Sequence, residues 1–218
     1  MRTVIAGGHG QIALRLERLI AARGDSVAGL IRNPAQADDL REAGAEPVVL
    51  DLESTTVDAV AAALAGADAA VFAAGAGPGS GVERKQTVDR DAAVLLADAA
   101  EQAGVRRFLV VSSMGADANS TYEEPVFRAY LRAKGAADDA IRARTSLAWT
   151  ILRPGGLTND PGTGRVRLSA DSTGRGTVPR DDVAAVLLAL LDAPATAGLT
   201  LELISGDTDI ATAVAQLT

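Results

Sequence analysis

The chain has 218 residues, 48% of them hydrophobic but only 3% aromatic, and a formal net charge of -7. That length and composition give one α/β domain with a full core of Ala, Val, Leu and Ile, and they exclude a disordered chain. The acidic balance argues against nonspecific binding to nucleic acid or anionic membranes. The absence of cysteine excludes disulfides, thiol catalysis and thiolate metal sites.

The first predicted element is a short apolar strand, Thr3–Ala6, which runs into the turn Gly7-Gly8-His9-Gly10 and then an amphipathic helix over Ile12–Arg23. A helix N-terminus carries unpaired N–H groups and a partial positive charge, so a pyrophosphate fits there. In this GxxGxxA spacing, Gly7 makes the tight turn, Gly10 lets the backbone approach a phosphate, and Ala13 lets the helix pack on the strand. His9, the only histidine, reads as a loop residue near that phosphate, which leaves a Ser-His-Asp triad without a base elsewhere.

The next strand, Ser26–Ile31, ends in Arg32-Asn33-Pro34. An acid at this position would hold the ribose 2′-OH of NAD, whereas an arginine suits a 2′-phosphate, so NADP is expected and NAD is less favoured. A helix over Pro34–Ala43 and a strand over Pro47–Leu50 follow, and the strand leads to Asp51-Leu52. Asp51 reads equally as a backbone contact to an adenine edge or as a helix N-cap. Beyond a helix over Val57–Leu64, the strand Ala69–Ala73 gives way to Ala74-Gly75, small residues that leave room for a cofactor ribose. A glycine-rich loop, Ala74–Arg84, precedes a helix over Thr87–Ala103, whose Asp89, Arg90 and Asp91 read as capping and dipole charges. Gly24, Gly44, Gly66 and Gly104 fall where helices stop, in keeping with C-caps.

The strand Phe108–Ser112 brings Ser112 and Ser113 to its carboxyl end, and Ser113 is the better candidate to bond a reacting carbonyl oxygen. The helix Phe127–Arg144 carries Tyr130 and Lys134 at i and i+4, on one face. An ammonium stabilises a phenolate, so the pair is suited to moving a proton to or from a carbonyl oxygen while the lysine holds ribose hydroxyls. The chain has only two tyrosines and two lysines, which makes a chance YxxxK uncommon. The strand Ala148–Leu152 leads through Arg153, expected to pair with a carboxylate, into a second long loop, Pro154–Pro179, rich in glycine. A helix over Asp182–Leu191, with Arg180 to Asp182 marking its start, and a strand over Leu199–Ile204 complete the series.

Short apolar strands alternating with helices predict a doubly wound parallel sheet, a Rossmann fold, in a single domain over residues 1–218. Residues 154–180 form a small substrate-side extension within it. Few aromatics predict a pocket without stacking platforms, so a flat nucleobase-like substrate is not expected. No segment is long and apolar enough to span a bilayer, and no signal-peptide pattern is present, so a cytoplasmic protein is expected, as monomer or homodimer, with no metal.

The motifs GGHGQIA, LIRNP, FAAGAG, VSSMG, YLRAK, LRPGGLT and PRDDVA occur in this order over nearly the whole chain. In them the chain resembles an atypical, extended-like short-chain dehydrogenase/reductase of the epimerase/dehydratase-like, NAD(P)H-binding kind. The resemblance implies that Gly7, Gly10, Gln11 and Ile12 meet the pyrophosphate, with His9 beside them. Arg32 and Asn33 would meet the 2′-phosphate, and Asp51 and Leu52 the adenine. Ala73, Ala74 and Gly75 would lie along the ribose, and Ser112, Lys134, Pro154, Gly155 and Leu157 toward the nicotinamide. Tyr130, Lys134 and Ser113 would be catalytic. The activity implied is NADP-dependent oxidation or reduction of a small carbonyl or alcohol. Two other readings are a sugar epimerase or dehydratase, for which Ser113-Met114-Gly115 supplies no carboxylate pair, and a non-catalytic NADPH sensor.

Overall fold

The computed structural model describes residues 1–77 and 79–217. Seven parallel strands form the body of the sheet: β1 (Arg2–Ala6), β2 (Ser26–Ile31), β3 (Glu46–Val49), β4 (Ala69–Phe72), β5 (Arg107–Val111), β6 (Ala148–Pro154) and β10 (Leu199–Ser205). Their order is β3-β2-β1-β4-β5-β6-β10, so the doubly wound Rossmann fold predicted from the alternation is the one observed. The direction of winding reverses between β1 and β4, and a crevice opens at their carboxyl ends.

Alternate side chains leave the sheet on opposite faces. Ile5, Val71, Leu109 and Leu152 pack under α1 (Gln11–Ala22) and α7 (Arg180–Leu191). Val4, Phe72, Val110 and Ile151 pack under α3 (Val57–Ala63), α5 (Ala92–Ala103) and α6 (Pro125–Arg142). Both faces are covered, which is why these strands read as continuous apolar runs.

The long loop expected over Pro154–Pro179 is instead largely extended chain. Within it lie β7 (Gly156–Thr158), β8 (Arg165–Ser169) and β9 (Thr177–Pro179). β7 pairs with β9, while β8 and β11 (Thr208–Asp209) add antiparallel strands at the sheet edge. Gly155, Gly162 and Gly176 serve close packing, whereas Gly164 and Gly174 supply positive φ in turns. A Cβ on Gly155 would lie 2.4 Å from the Gly176 carbonyl oxygen. Glycine content alone does not distinguish a backbone contact from a flexible loop.

The helices also shift. α2 (Ala37–Glu42) follows a 3₁₀ turn at Pro34–Gln36, and α8 (Ile210–Ala215) was not expected. The helix predicted from Thr87 begins five residues earlier, as α4 (Val82–Arg84). It is wound as a π-helix over Lys85–Asp91 before α5. That wider turn buries Lys85, Val88 and Asp89; such segments are frequent at functional sites. The predicted glycine loop therefore ends at Gly81, and its Pro78 lies outside the described residues.

Candidate functional site

β1 delivers the chain into Gly7 at φ 81°, a conformation only glycine adopts without strain. A Cβ there would lie 2.6 Å from Ala74 Cα, so the turn is pressed against the end of β4. Gly8 is equally constrained: its Cβ would meet Gly29 Cα at 2.8 Å, and its N–H donates to the Leu30 carbonyl at 3.0 Å. Gly10 N–H closes the turn on the Gly7 carbonyl at 2.8 Å. α1 then starts with no side-chain cap and no acid in its first turn. The positive end of the helix is left for an anion that the chain does not supply.

Above this turn lies an open cleft. Gly7, His9 and Gly10 form its floor, Ala73, Ala74 and Gly75 one wall, and Arg32, Asp51 and Leu52 the other. These nine predicted residues are brought together. Asp51 is not the N-cap of α3, a role held by Thr56; its carboxylate instead accepts from Glu53 N–H at 3.0 Å, in a turn on the cleft rim.

The remaining predicted cofactor contacts sit elsewhere. Gln11 is exposed at the start of α1, and the Ile12 side chain is buried in the core. The Asn33 side chain caps the 3₁₀ turn by accepting from Ala35 N–H at 3.0 Å. Ser112 is buried and donates to Asp138 at 2.9 Å. Arg153 meets the same carboxylate at 2.7 Å, the pairing expected of it. Burial raises the Asp138 carboxyl above the ordinary range, and Arg153 opposes that rise. Pro154 ends β6, Leu157 lies in β7 and Gly155 joins the two strands; none of the three lines the cleft. Pro154 instead accepts from Met114 N–H at 3.0 Å, which ties it to the Ser113 segment.

Lys134 is buried. Its ammonium donates to the carbonyls of Val111 (3.1 Å) and Ala74 (3.4 Å) and lies 3.4 Å from the Asp89 carboxylate. Asp89 is fully buried and accepts from Ala76 N–H at 3.3 Å, so it is a cleft-side anion and not the helix-capping charge expected. Arg90 and Asp91 pair with each other at the surface. From the other side, the Lys85 ammonium donates to the Gly77 carbonyl at 2.9 Å and lies 5.5 Å from the centre of the Tyr130 ring. Ser113 is half-buried, and its hydroxyl donates to the Met114 carbonyl at 3.2 Å.

The sequence pattern of a family described as NAD(P)H-binding matches residues 7–194, from the glycine turn through α7. The chain belongs to this NAD(P)H-binding family. A Bacillus subtilis relative named an uncharacterized sugar epimerase, YhfK, is 39% identical over the full length of both chains. A solved structure from Bacillus halodurans, provisionally named a NAD-dependent epimerase/dehydratase, superposes with a TM-score of 0.92 at 38% identity and full coverage of both. The oxidoreductase ylbE of Lactococcus lactis superposes at 0.86, with 26% identity over 100% of this chain and 96% of that one. The atypical short-chain dehydrogenase/reductase resemblance is thus supported across the whole fold, and with it a nicotinamide cofactor.

In this NAD(P)H-binding protein the sequence pattern missed a polar cluster at the outer end of the cleft. Glu53 accepts from Arg84 (2.6 Å), Thr87 (2.7 Å) and Arg32 (3.4 Å). The Arg84 guanidinium, first, and the Thr87 hydroxyl hold its carboxyl below the usual range. No local pattern marks Glu53 and Arg84, 31 residues apart, as neighbours. His9 is also committed, with Nε2 2.6 Å from Asp39. Asp181 and Asp182, expected only to start α7, clamp the preceding loop. Asp181 bonds Arg15 and Gly162 N–H, and the buried Asp182 accepts from Thr163 and Gly164 N–H. Among the described residues no His, Cys, Asp and Glu cluster could hold a metal, and no helix is long and apolar enough to cross a membrane.

Among the described residues no Phe, Tyr or Trp lines the cleft, in keeping with the expectation of a pocket without stacking platforms; the aromatics gather outside it. Of one Trp, two Tyr and three Phe, both tyrosines and Phe127 stand together at the start of α6. Composition counts aromatics but says nothing of where the fold gathers them.

Proposed function

We propose that the chain is an NADPH-dependent reductase of small carbonyl compounds, running as an alcohol dehydrogenase in reverse. The observation that carries this reading is the placement of Tyr130 and Lys134 on one face of α6, with the Lys134 ammonium bonded to Ala74 of the cleft wall and the Lys85 ammonium 5.5 Å from the centre of the Tyr130 ring. The residues around the glycine turn fit a dinucleotide: the crowded backbone at Gly7 and Gly8 leaves no room for a side chain, and the uncapped end of α1 awaits an anion.

Bound NADPH supplies the hydride that the carbonyl carbon accepts. Tyr130 gives its hydroxyl proton to the carbonyl oxygen as the C=O π bond opens, and the phenolate takes a proton back from solvent. Ser113 hydrogen-bonds the same oxygen and fixes its position. Lys134 pins the ends of β4 and β5 together and stabilises the phenolate. The net change is carbonyl plus NADPH plus a proton to alcohol plus NADP⁺. Arg32 and Arg84 against Glu53 leave one guanidinium in excess at the outer end. Arg32, held by the longer bond, turns to a 2′-phosphate.

Calorimetry with NADPH and NADH tests the cofactor half. NADPH binds more tightly in the wild type, and Arg32→Ala lowers its affinity by about tenfold or more while leaving that for NADH nearly unchanged. Equal affinities in the wild type would remove the 2′-phosphate assignment. For the chemical half, Tyr130→Phe reduces turnover of a carbonyl panel by about 10²- to 10⁴-fold with NADPH affinity retained. An unchanged rate would remove Tyr130 from the reaction.

An epimerase reading draws on the name of the Bacillus subtilis relative. It requires NAD to stay bound through purification. It also requires a second acid–base group beside Ser113, which Met114 and Gly115 do not supply.

A further inference from the structure

Three aromatic side chains form a continuous ladder at the N-terminal end of α6. Tyr122 and Phe127 meet edge to face with ring centres 4.8 Å apart. Phe127 and Tyr130 follow at 5.7 Å, tilted by 31°. Tyr122 is 50% exposed and Phe127 39%, and the neighbouring Val126 and Val82 are exposed as well. In a protein with six aromatics, two stand exposed here, continuous with the half-buried residue proposed to donate the proton. Exposed apolar surface gathered in one place marks a binding site.

The platform is built rigidly. Glu124 caps α6 by accepting from Val126 and Phe127 N–H at 2.8 and 2.5 Å, which fixes the backbone under Phe127. The loop carrying Tyr122 is tied down to α6 at two points: Arg128 donates to the Tyr122 carbonyl at 3.2 Å, and Arg132 to the Ser120 carbonyl at 2.8 Å. A mobile loop tip would need neither tie. At the inner end of the ladder the Lys85 ammonium lies 5.5 Å from the Tyr130 ring centre. The ladder therefore runs from exposed apolar rings to a buried ammonium that is held by the Gly77 carbonyl, the order of polarity of a ring that ends in a carbonyl oxygen.

We infer that the substrate is a flat, ring-conjugated carbonyl compound, an aryl aldehyde or ketone. Its ring lies against Phe127 and Tyr122, and its oxygen points to Tyr130 and toward Lys85. This rests on the reductase reading above and deepens it. Hydride arrives at the carbonyl carbon, the C=O π pair moves to oxygen, and that oxygen takes the Tyr130 proton while NADPH becomes NADP⁺. A small aliphatic carbonyl would leave the ladder wet, whereas an aromatic ring gains offset or edge-on contact along it.

The test pairs benzaldehyde with cyclohexanecarbaldehyde, rings of the same size of which only the first is flat and conjugated. Wild-type kcat/KM with NADPH favours benzaldehyde, and Phe127→Ala and Tyr122→Ala each lower the benzaldehyde-to-cyclohexane ratio by about tenfold. Phe127→Leu keeps the apolar volume without the ring face and lowers the ratio too. A second readout needs no turnover: saturation-transfer NMR of benzyl alcohol and cyclohexylmethanol on the NADP⁺ complex shows preferential contact with the former, lost in Phe127→Ala. If carbonyls are reduced but the ratio does not move in these variants, this inference falls and the reductase reading stands. If no carbonyl is reduced, the reductase reading falls, and equal NMR contact of the two alcohols removes the platform as well. If sedimentation shows the wild type to be a dimer and Phe127→Ala a monomer, the ladder is a subunit contact and the inference is overturned.

Discussion

Glutamine in place of Glu17 is expected to stabilise the protein above neutral pH and to leave it nearly unchanged at pH 5. Glu17 lies on α1 beneath the glycine turn, fully buried, with neither carboxylate oxygen hydrogen-bonded. Its Oε1 is close enough that a Cβ on Gly29 would meet it at 2.6 Å and one on Gly8 at 3.1 Å. Burial, opposed weakly by Arg18, pushes the carboxyl from its ordinary 4.5 up to about 8. In the unfolded chain the group ionises at its ordinary value, so between about pH 4.5 and 8 the unfolded state releases a proton that the folded state retains. Stability is therefore fully present below pH 4.5 and is lost as pH rises through 8. The loss is on the order of 3–5 kcal/mol at about 1.4 kcal/mol per pH unit. Glu17→Gln keeps the shape and removes the titration. Its melting temperature should exceed that of wild type by roughly 10 °C at pH 8.5 and match it within about 2 °C at pH 5. Thermal melts of both proteins across that range decide the matter: parallel profiles would mean that the carboxylate finds partners or water in solution.

The second large effect separates scaffold from chemistry at Lys134. Lys134→Met leaves the fully buried Asp89 carboxylate without its ammonium, at a cost of about 3–5 kcal/mol in urea unfolding. Asp89→Asn in the same chain removes the uncompensated charge and keeps an acceptor for Ala76 N–H, so the double variant regains most of that stability. Turnover stays low in the double variant, by about 10²-fold or more, because the Tyr130 phenolate still lacks its cation. A double variant that recovers both stability and turnover would reduce Lys134 to a strut between β4 and β5.

How much of the site could be read from the sequence follows from how local each signal is. The Gly7–Gly10 turn is legible because strand, turn and helix are contiguous and each imposes its own residue types. Tyr130 and Lys134 are legible because helical spacing places i and i+4 on one face. Asp89 was misassigned because its neighbours Arg90 and Asp91 are surface charges, and only the π-helical winding of Lys85–Asp91 turns it inward. Lys85 lay in what looked like the end of a glycine loop. The glycines after β6 read as flexibility, yet Gly155, Gly156 and Gly176 are close contacts between the start of β7 and the chain entering β9.

The α/β alternation, the parallel sheet, the anion-ready start of α1 and the shared face of Tyr130 and Lys134 on α6 are all legible along the chain. These arise from hydrophobic period, turn chemistry and helical spacing, each written within about ten consecutive residues. Folding in three dimensions sets which charges face the cleft, joins Arg32 to Arg84 through Glu53, leaves the Glu17 carboxylate without a hydrogen bond, and brings Tyr122, Phe127 and Tyr130 into one cluster. Those outcomes depend on which distant segments share a neighbourhood once both faces of the sheet are covered, and no local pattern encodes that.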